Sequence, residues 1–150
     1  MQAAGDQLGQ ELSLAVVLYH QAIADRLGLG TADWKCLDVL LKSGPVSAGQ
    51  LAELTGLSTG AITGIVDRLE HAGHVRRERD PADRRRVIIR PAPQPGLVRE
   101  VTRIFQSLGR SMAWVSERYS DEQLAVIAGF LQSTIATLRA ETARLRDDTG

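Results

Sequence analysis

The chain is poor in the groups that sustain catalysis or covalent cross-linking. Among its 150 residues Cys36 is the single cysteine, so no intrachain disulfide and no cysteine zinc site can form. The histidines, His20, His71 and His74, supply one close pair, and nothing near that pair completes a metal-ligand spacing. There is no glycine-rich phosphate loop and no nucleophile elbow, so neither an enzyme activity nor a cofactor is expected. Aromatic residues make up 4%, which leaves the core to Leu, Ile, Val and Ala. No apolar run approaches the roughly 20 residues that span a bilayer, and no basic signal-type segment opens the sequence. A soluble protein of the cytoplasm and nucleoid is expected. The formal net charge is +0, so overall charge does not point to nucleic acid.

Charge distribution says more than its sum. Between Arg76 and Arg90 lie Arg77, Arg79, Arg84, Arg85 and Arg86, against the acids Glu78, Asp80 and Asp83. This is a basic patch in a neutral protein. Apolar residues at 43% and charged residues at 24% are ordinary for a globular chain of this length, which can bury a core without metals or disulfides.

The apolar spacing is mostly helical. Leu8, Leu12, Val16, Tyr19, Ile23 and Leu27 form one stripe that ends at Gly28 and Gly30. Thr31 is placed to cap a second helix reaching about Lys42, with Trp34, Leu37, Leu40 and Leu41 inward. Ser47 and Gln50 form a capping box for a short third helix, and Ser58 caps a fourth that ends near Gly73. The period then shortens. Residues 75–79 and 85–90 read as strands around the turn-forming Asp80-Pro81-Ala82-Asp83, with Val87 and Ile89 on one face. Pro91, Pro93, Pro95 and Gly96 mark a connector. Two helices follow, about 97–118 and 121–146, the second opened by a Ser120–Gln123 capping box.

A short helix, a tight turn at Gly56, a longer helix and a basic hairpin make a winged helix-turn-helix. Ala52 and Gly56 have the spacing that close helix crossing requires, and Leu51, Leu57, Ile62 and Ile65 can pin both helices to a core. The fold class expected is mainly α with a small β-hairpin wing. Three segments are expected within one compact domain: a dimerisation helix over 1–30, the DNA-binding lobe over 31–95, and dimerisation helices over 96–150. Ser47, Ser58, Thr59, Gly60 and Thr63 are the candidate major-groove and phosphate contacts. Arg84, Arg85 and Arg86 are candidates for the minor groove, where a narrow width strengthens the negative potential, and the same residues could also bind phosphates. Arg68 could reach phosphate or pair with Asp83.

The runs Asp33-Trp34-Lys35-Cys36-Leu37-Asp38-Val39-Leu40, Leu51 through Ser58, Val66-Asp67-Arg68-Leu69-Glu70 and Asp80 through Arg86 resemble the multiple-antibiotic-resistance-regulator (MarR) family. The resemblance implies a transcriptional repressor that binds double-stranded DNA as a homodimer with interlocked first, fifth and sixth helices. It also implies that Arg85 enters the minor groove and that Asp83 braces a wing arginine. The Pro-rich stretch from Pro91 to Pro95 departs from the Leu-Thr pair usual in that family.

The resemblance further implies a small aromatic or anionic effector, for which Tyr19, His20, Trp34 and Asp38 are candidates, each with a plainer role in core or surface. Cys36 could act as a thiol sensor, although an inert buried cysteine accounts for it as well. The last helix carries a long apolar seam through Leu131, Leu138 and Leu145 which, with Leu8 and Leu12, is the candidate dimer interface. A winged-helix protein-interaction module is the competing reading.

Overall fold

The computed structural model describes the backbone of residues 2–147 and the side chains of residues 7–146. Among the described residues six helices and three short strands follow in the order α1 (Gln2–Leu27), α2 (Thr31–Ser43), β1 (Val46–Ser47), α3 (Ala48–Thr55), α4 (Thr59–His71), β2 (Val75–Arg79), β3 (Val87–Pro91), α5 (Pro95–Ser116) and α6 (Asp121–Asp147).

The cause of each boundary is local. Gly28, Gly56 and Gly73 adopt φ values of +67°, +72° and +74°, conformations that cost glycine little and end α1, α3 and α4. The Ser47–Gln50 box forms in both directions, Gln50 N donating to Ser47 Oγ at 3.2 Å and Ser47 N to Gln50 Oε1 at 2.9 Å. Its counterpart at Ser120 and Gln123 closes in the same way.

Several sequence expectations are corrected. Gly30, not Thr31, is the N-cap of α2, and the Thr31 hydroxyl donates to the Gln21 side chain instead. The inward face of α2 carries Asp33, Trp34, Cys36, Leu37 and Leu40, whereas Leu41 lies at the edge of that face and is exposed. The hairpin belongs to a three-stranded antiparallel sheet of order β1-β3-β2, in which Val46 faces Ile89 and Ser47 faces Ile88. β3 starts at Val87 rather than at residue 85, because Arg85 and Arg86 are held in the turn. Ile89 is buried, but Val87, at the far end of the ladder, is not.

The connector is also shorter than expected. Pro91 ends β3, and Pro95 and Gly96 open α5, where a missing N–H leaves no helical bond unmade.

Two compact units divide the chain at Ile104 and Phe105. In the first, Leu37, Leu40, Leu51, Ile62, Leu69 and Ile89 are buried to 2% exposure or less, with Val75 and Leu97 beside them. That core pins α2, α3, α4 and the sheet together. Arg26 of α1 and Arg103 both pair with Glu100, whose carboxyl they hold down at about 2, Arg103 contributing most. In the second unit no described residue is buried: Met112, Trp114, Val126, Phe130, Leu131 and Leu138 are each at least 43% exposed. Helices of this kind draw their stability from packing an apolar face, and the unit by itself gives that face nothing to cover it.

Candidate nucleic-acid interface

Burial of Ile62, Ile65, Val66 and Leu69 fixes which way α4 turns. With that face on the core, Thr59, Gly60, Ala61, Thr63, Asp67 and Arg68 are exposed. Ser58 caps the helix, its hydroxyl accepting from Ala61 N at 3.2 Å, and Thr63 Oγ1 donates to Thr59 O at 3.1 Å. Ser47, the other small polar candidate, is half-buried and caps α3.

Arg68 has a partner that the sequence did not reveal. Its guanidinium binds both carboxylate oxygens of Asp33, Nε at 3.0 Å and Nη2 at 2.6 Å, and not Asp83. Asp33 is a nearly buried acid on the core-facing side of α2, so the pair links α2 to the outward helix α4. A polar residue within an apolar stripe was the available signal.

The wing is braced from the same helix. Arg77 on β2 pairs with Asp67 and Glu70 of α4, and its backbone N–H and guanidinium together hold the Glu70 carboxyl below the usual range. At the base, Ala92 N donates to His74 O at 2.8 Å, and the Gln94 amide lies over Gly73, 2.7 Å from where a Cβ would stand. The proline-rich connector is thereby tied to the α4–β2 junction.

The tip is shaped by its aspartates. Asp80 Oδ1 accepts from Ala82 N at 2.8 Å and Asp83 Oδ1 from Arg85 N at 3.0 Å. Asp83 thus braces an arginine through its backbone and not through its guanidinium. Arg79 donates to the carbonyl of Arg84, Arg76 and Arg90 pair with Glu78, and Arg77 is held as above. Among the described residues Arg84, Arg85 and Arg86 have no side-chain partner, and all three are exposed. The arginines of the patch therefore fall into two sets, one building the wing and one presented by it.

Residues 27–86 match the MarR family. Over 93% of this chain and 90% of the relative, it is 41% identical to an uncharacterized HTH-type transcriptional regulator, YcgE, of Bacillus subtilis. The chain belongs to the MarR family. It is also 31% identical, across 76% of its length and 68% of the relative's, to a putative transcriptional regulatory protein for the hcr operon of Thauera aromatica. Its fold is that of a MarR family protein from Bacillus stearothermophilus, with a TM-score of 0.72 at 24% identity over 91% of this chain and 94% of the other. Wild-type MarR of E. coli shares it at a TM-score of 0.61 and 18% identity, over 86% and 94%. The protein is therefore a MarR-family transcriptional regulator with a winged helix-turn-helix, a DNA-binding architecture.

The remaining candidate residues of this MarR-family chain lie on α1 and α2. Trp34 is fully buried in the first unit. Asp38 pairs with Lys42 one helical turn on, at 2.7 Å. Tyr19 and His20 are half-buried on α1, with ring centres 6.3 Å apart. Cys36 has no exposed surface, and desolvation foremost, helped by Asp33, pushes its thiol up to about 11, the reverse of what a reactive thiolate needs. Among the described residues no cluster of potential metal ligands occurs, and no helix is long and apolar enough to cross a membrane.

Proposed function

We propose that the protein acts as a homodimer on a pseudo-palindromic operator and represses transcription by occupying it. In this reading each copy lays the start of α4 in the major groove, with Ser58, Thr59, Gly60 and Thr63 toward the bases and Ser47 toward the backbone. Arg84, Arg85 and Arg86 reach the adjacent minor groove, and Arg68, bound to Asp33, sets the pitch of α4.

The observation that carries this reading is the division among the arginines. Every other arginine from Arg76 to Arg90 has an intramolecular acceptor, whereas three adjacent guanidinium groups at the tip have none among the described residues and repel one another. An internal role would have supplied acceptors; a polyanion supplies them on binding. The dimer is supported by the exposed side chains of Leu8, Leu12, Leu131, Leu138 and Leu145. Two-fold symmetry then spaces the half-sites about one helical turn, roughly 34–36 Å, apart.

The test is titration of a duplex recovered from a random DNA pool by the full-length protein. Arg85→Ala should weaken binding by about 1–3 kcal/mol and flatten its salt dependence by about one unit of slope. A promoter overlapping that duplex should be silenced in a purified transcription reaction. Equal binding by the variant, or no binding to any duplex at low ionic strength, would overturn the proposal.

A further inference from the structure

We infer that this protein tells bases apart in the major groove mainly by apolar contact of Thr59, Ala61 and Thr63 with thymine C5-methyl groups, and not by paired hydrogen bonds to purines. The inference rests on the placement of α4 in the major groove proposed above and concerns what that helix reads there.

Paired recognition of a base edge needs a fork: arginine or lysine for guanine, asparagine or glutamine for adenine. The first two turns of α4 hold none of these. Their solvent-facing residues are Thr59, Gly60, Ala61 and Thr63, with Gly64 half-buried beside them. The first long side chains come later and are engaged, Asp67 with Arg77 and Arg68 with both oxygens of Asp33. Hydroxyl groups remain, but serine and threonine bond to any base and so discriminate weakly. Two of them are partly committed, Ser58 accepting from Ala61 N and Thr63 donating to Thr59 O. What is left to distinguish one base pair from another is methyl against methyl.

Such short side chains reach the floor of the groove only if the helix sits deep. Gly60 points to that depth. A Cβ there would meet nothing within 4 Å, and its backbone is ordinary helix, so the fold itself has no use for glycine at this position. Glycine weakens a helix, and its place on the outward face is explained by close approach of the DNA.

The experiment uses the full-length protein and the duplex it recovers from a random pool. Thymines of each half-site are replaced singly by deoxyuridine, which removes the C5-methyl, and guanines by 7-deazaguanine, which removes N7. Both changes lie in the major groove, so the wing does not register them. At least one deoxyuridine should weaken binding about fourfold, the worth of one buried methyl. That penalty should vanish in Thr59→Ser, Ala61→Gly or Thr63→Ser, whose folding is checked by melting. Each 7-deazaguanine should cost less than about twofold, where losing a paired hydrogen bond would cost about fivefold or more. Silent deoxyuridines, a half-site without thymine, a large 7-deazaguanine penalty, or a methyl penalty that persists in all three variants would each overturn the inference while leaving DNA binding intact. Failure to enrich any duplex would overturn the DNA-binding proposal, and this inference with it.

Discussion

Arg68 and Asp33 lie 35 residues apart in sequence, yet the guanidinium of one grips both carboxylate oxygens of the other. The acid is nearly buried and the base mostly exposed, so the pair works like a strut from the core to the outer face of α4. A charge-assisted, two-pronged interaction of this type restricts direction as well as distance.

If the strut sets the pitch of α4, breaking either end should have the same consequence. Asp33→Ala and Arg68→Ala should each lower both the melting temperature and DNA affinity. The double variant should be no worse than the more damaging single, because the two side chains act through one another. Full additivity in DNA affinity would show that Arg68 acts on its own, by binding phosphate.

Salt titration separates the two sets of arginines. Replacing Arg84, Arg85 and Arg86 together by alanine should leave the melting temperature nearly unchanged, since their backbone bonds would persist and none of the three side chains has a partner among the described residues. It should lower the salt dependence of DNA binding by about 0.9 for each phosphate that is no longer neutralised. Arg77→Ala should do the opposite, destabilising the fold by removing the brace from β2 to α4. An equal loss of stability in both variants would contradict the division.

The second unit predicts the oligomeric state. Leu138 is 62% exposed in one chain, and Leu138→Glu should be harmless to a monomer. In a dimer it would place a carboxylate in an apolar seam at a cost of several kcal/mol, on the order expected for burying an unpaired charge. Light scattering should find the parent dimeric at micromolar concentration and the variant shifted to monomer. A monomeric parent would remove the dimer from the proposal.

Cys36 gives a pH-dependent prediction. Its thiol is ordinarily half ionised at 9.0 and in the folded chain at about 11, so folding favours the protonated form. The resulting contribution to stability is complete below about pH 9 and disappears as pH rises through 11. Stability should therefore fall over that interval in the parent and less steeply in Cys36→Ala. Thiol reagents near neutral pH should leave DNA affinity unchanged. Rapid labelling of the native protein would contradict the burial.

Much of the architecture was legible because it is written in local chemistry. Ser47 with Gln50 and Ser120 with Gln123 announce helix starts through side chains that bond their own backbone, and Gly73 announces a helix end through a conformation other residues avoid. What stayed hidden is non-local. Val46 and Ser47 are too few to show a strand's alternation, and only Ile88 and Ile89 across the ladder make them one. Asp33 falls on the apolar stripe of α2, but the partner that lets it be buried there, Arg68, comes from another helix. The candidate arginines were legible as a group, but only the structure separates those that brace the wing from those that project from it.

The hairpin's base and its tip obey different constraints. The ladder from Val75–Pro91 to Arg79–Val87, the bond from Ala92 to His74 and the seat of Gln94 over Gly73 hold the base at three places. Beyond Arg79 the loop is shaped by short-range bonds within itself, chiefly those accepted by Asp80 and Asp83. Lengthening or rewriting the segment between Asp80 and Arg86 would thus alter how far the cations project without tilting the lever that carries them. Related chains could in this way adapt to grooves of different width while keeping the same scaffold.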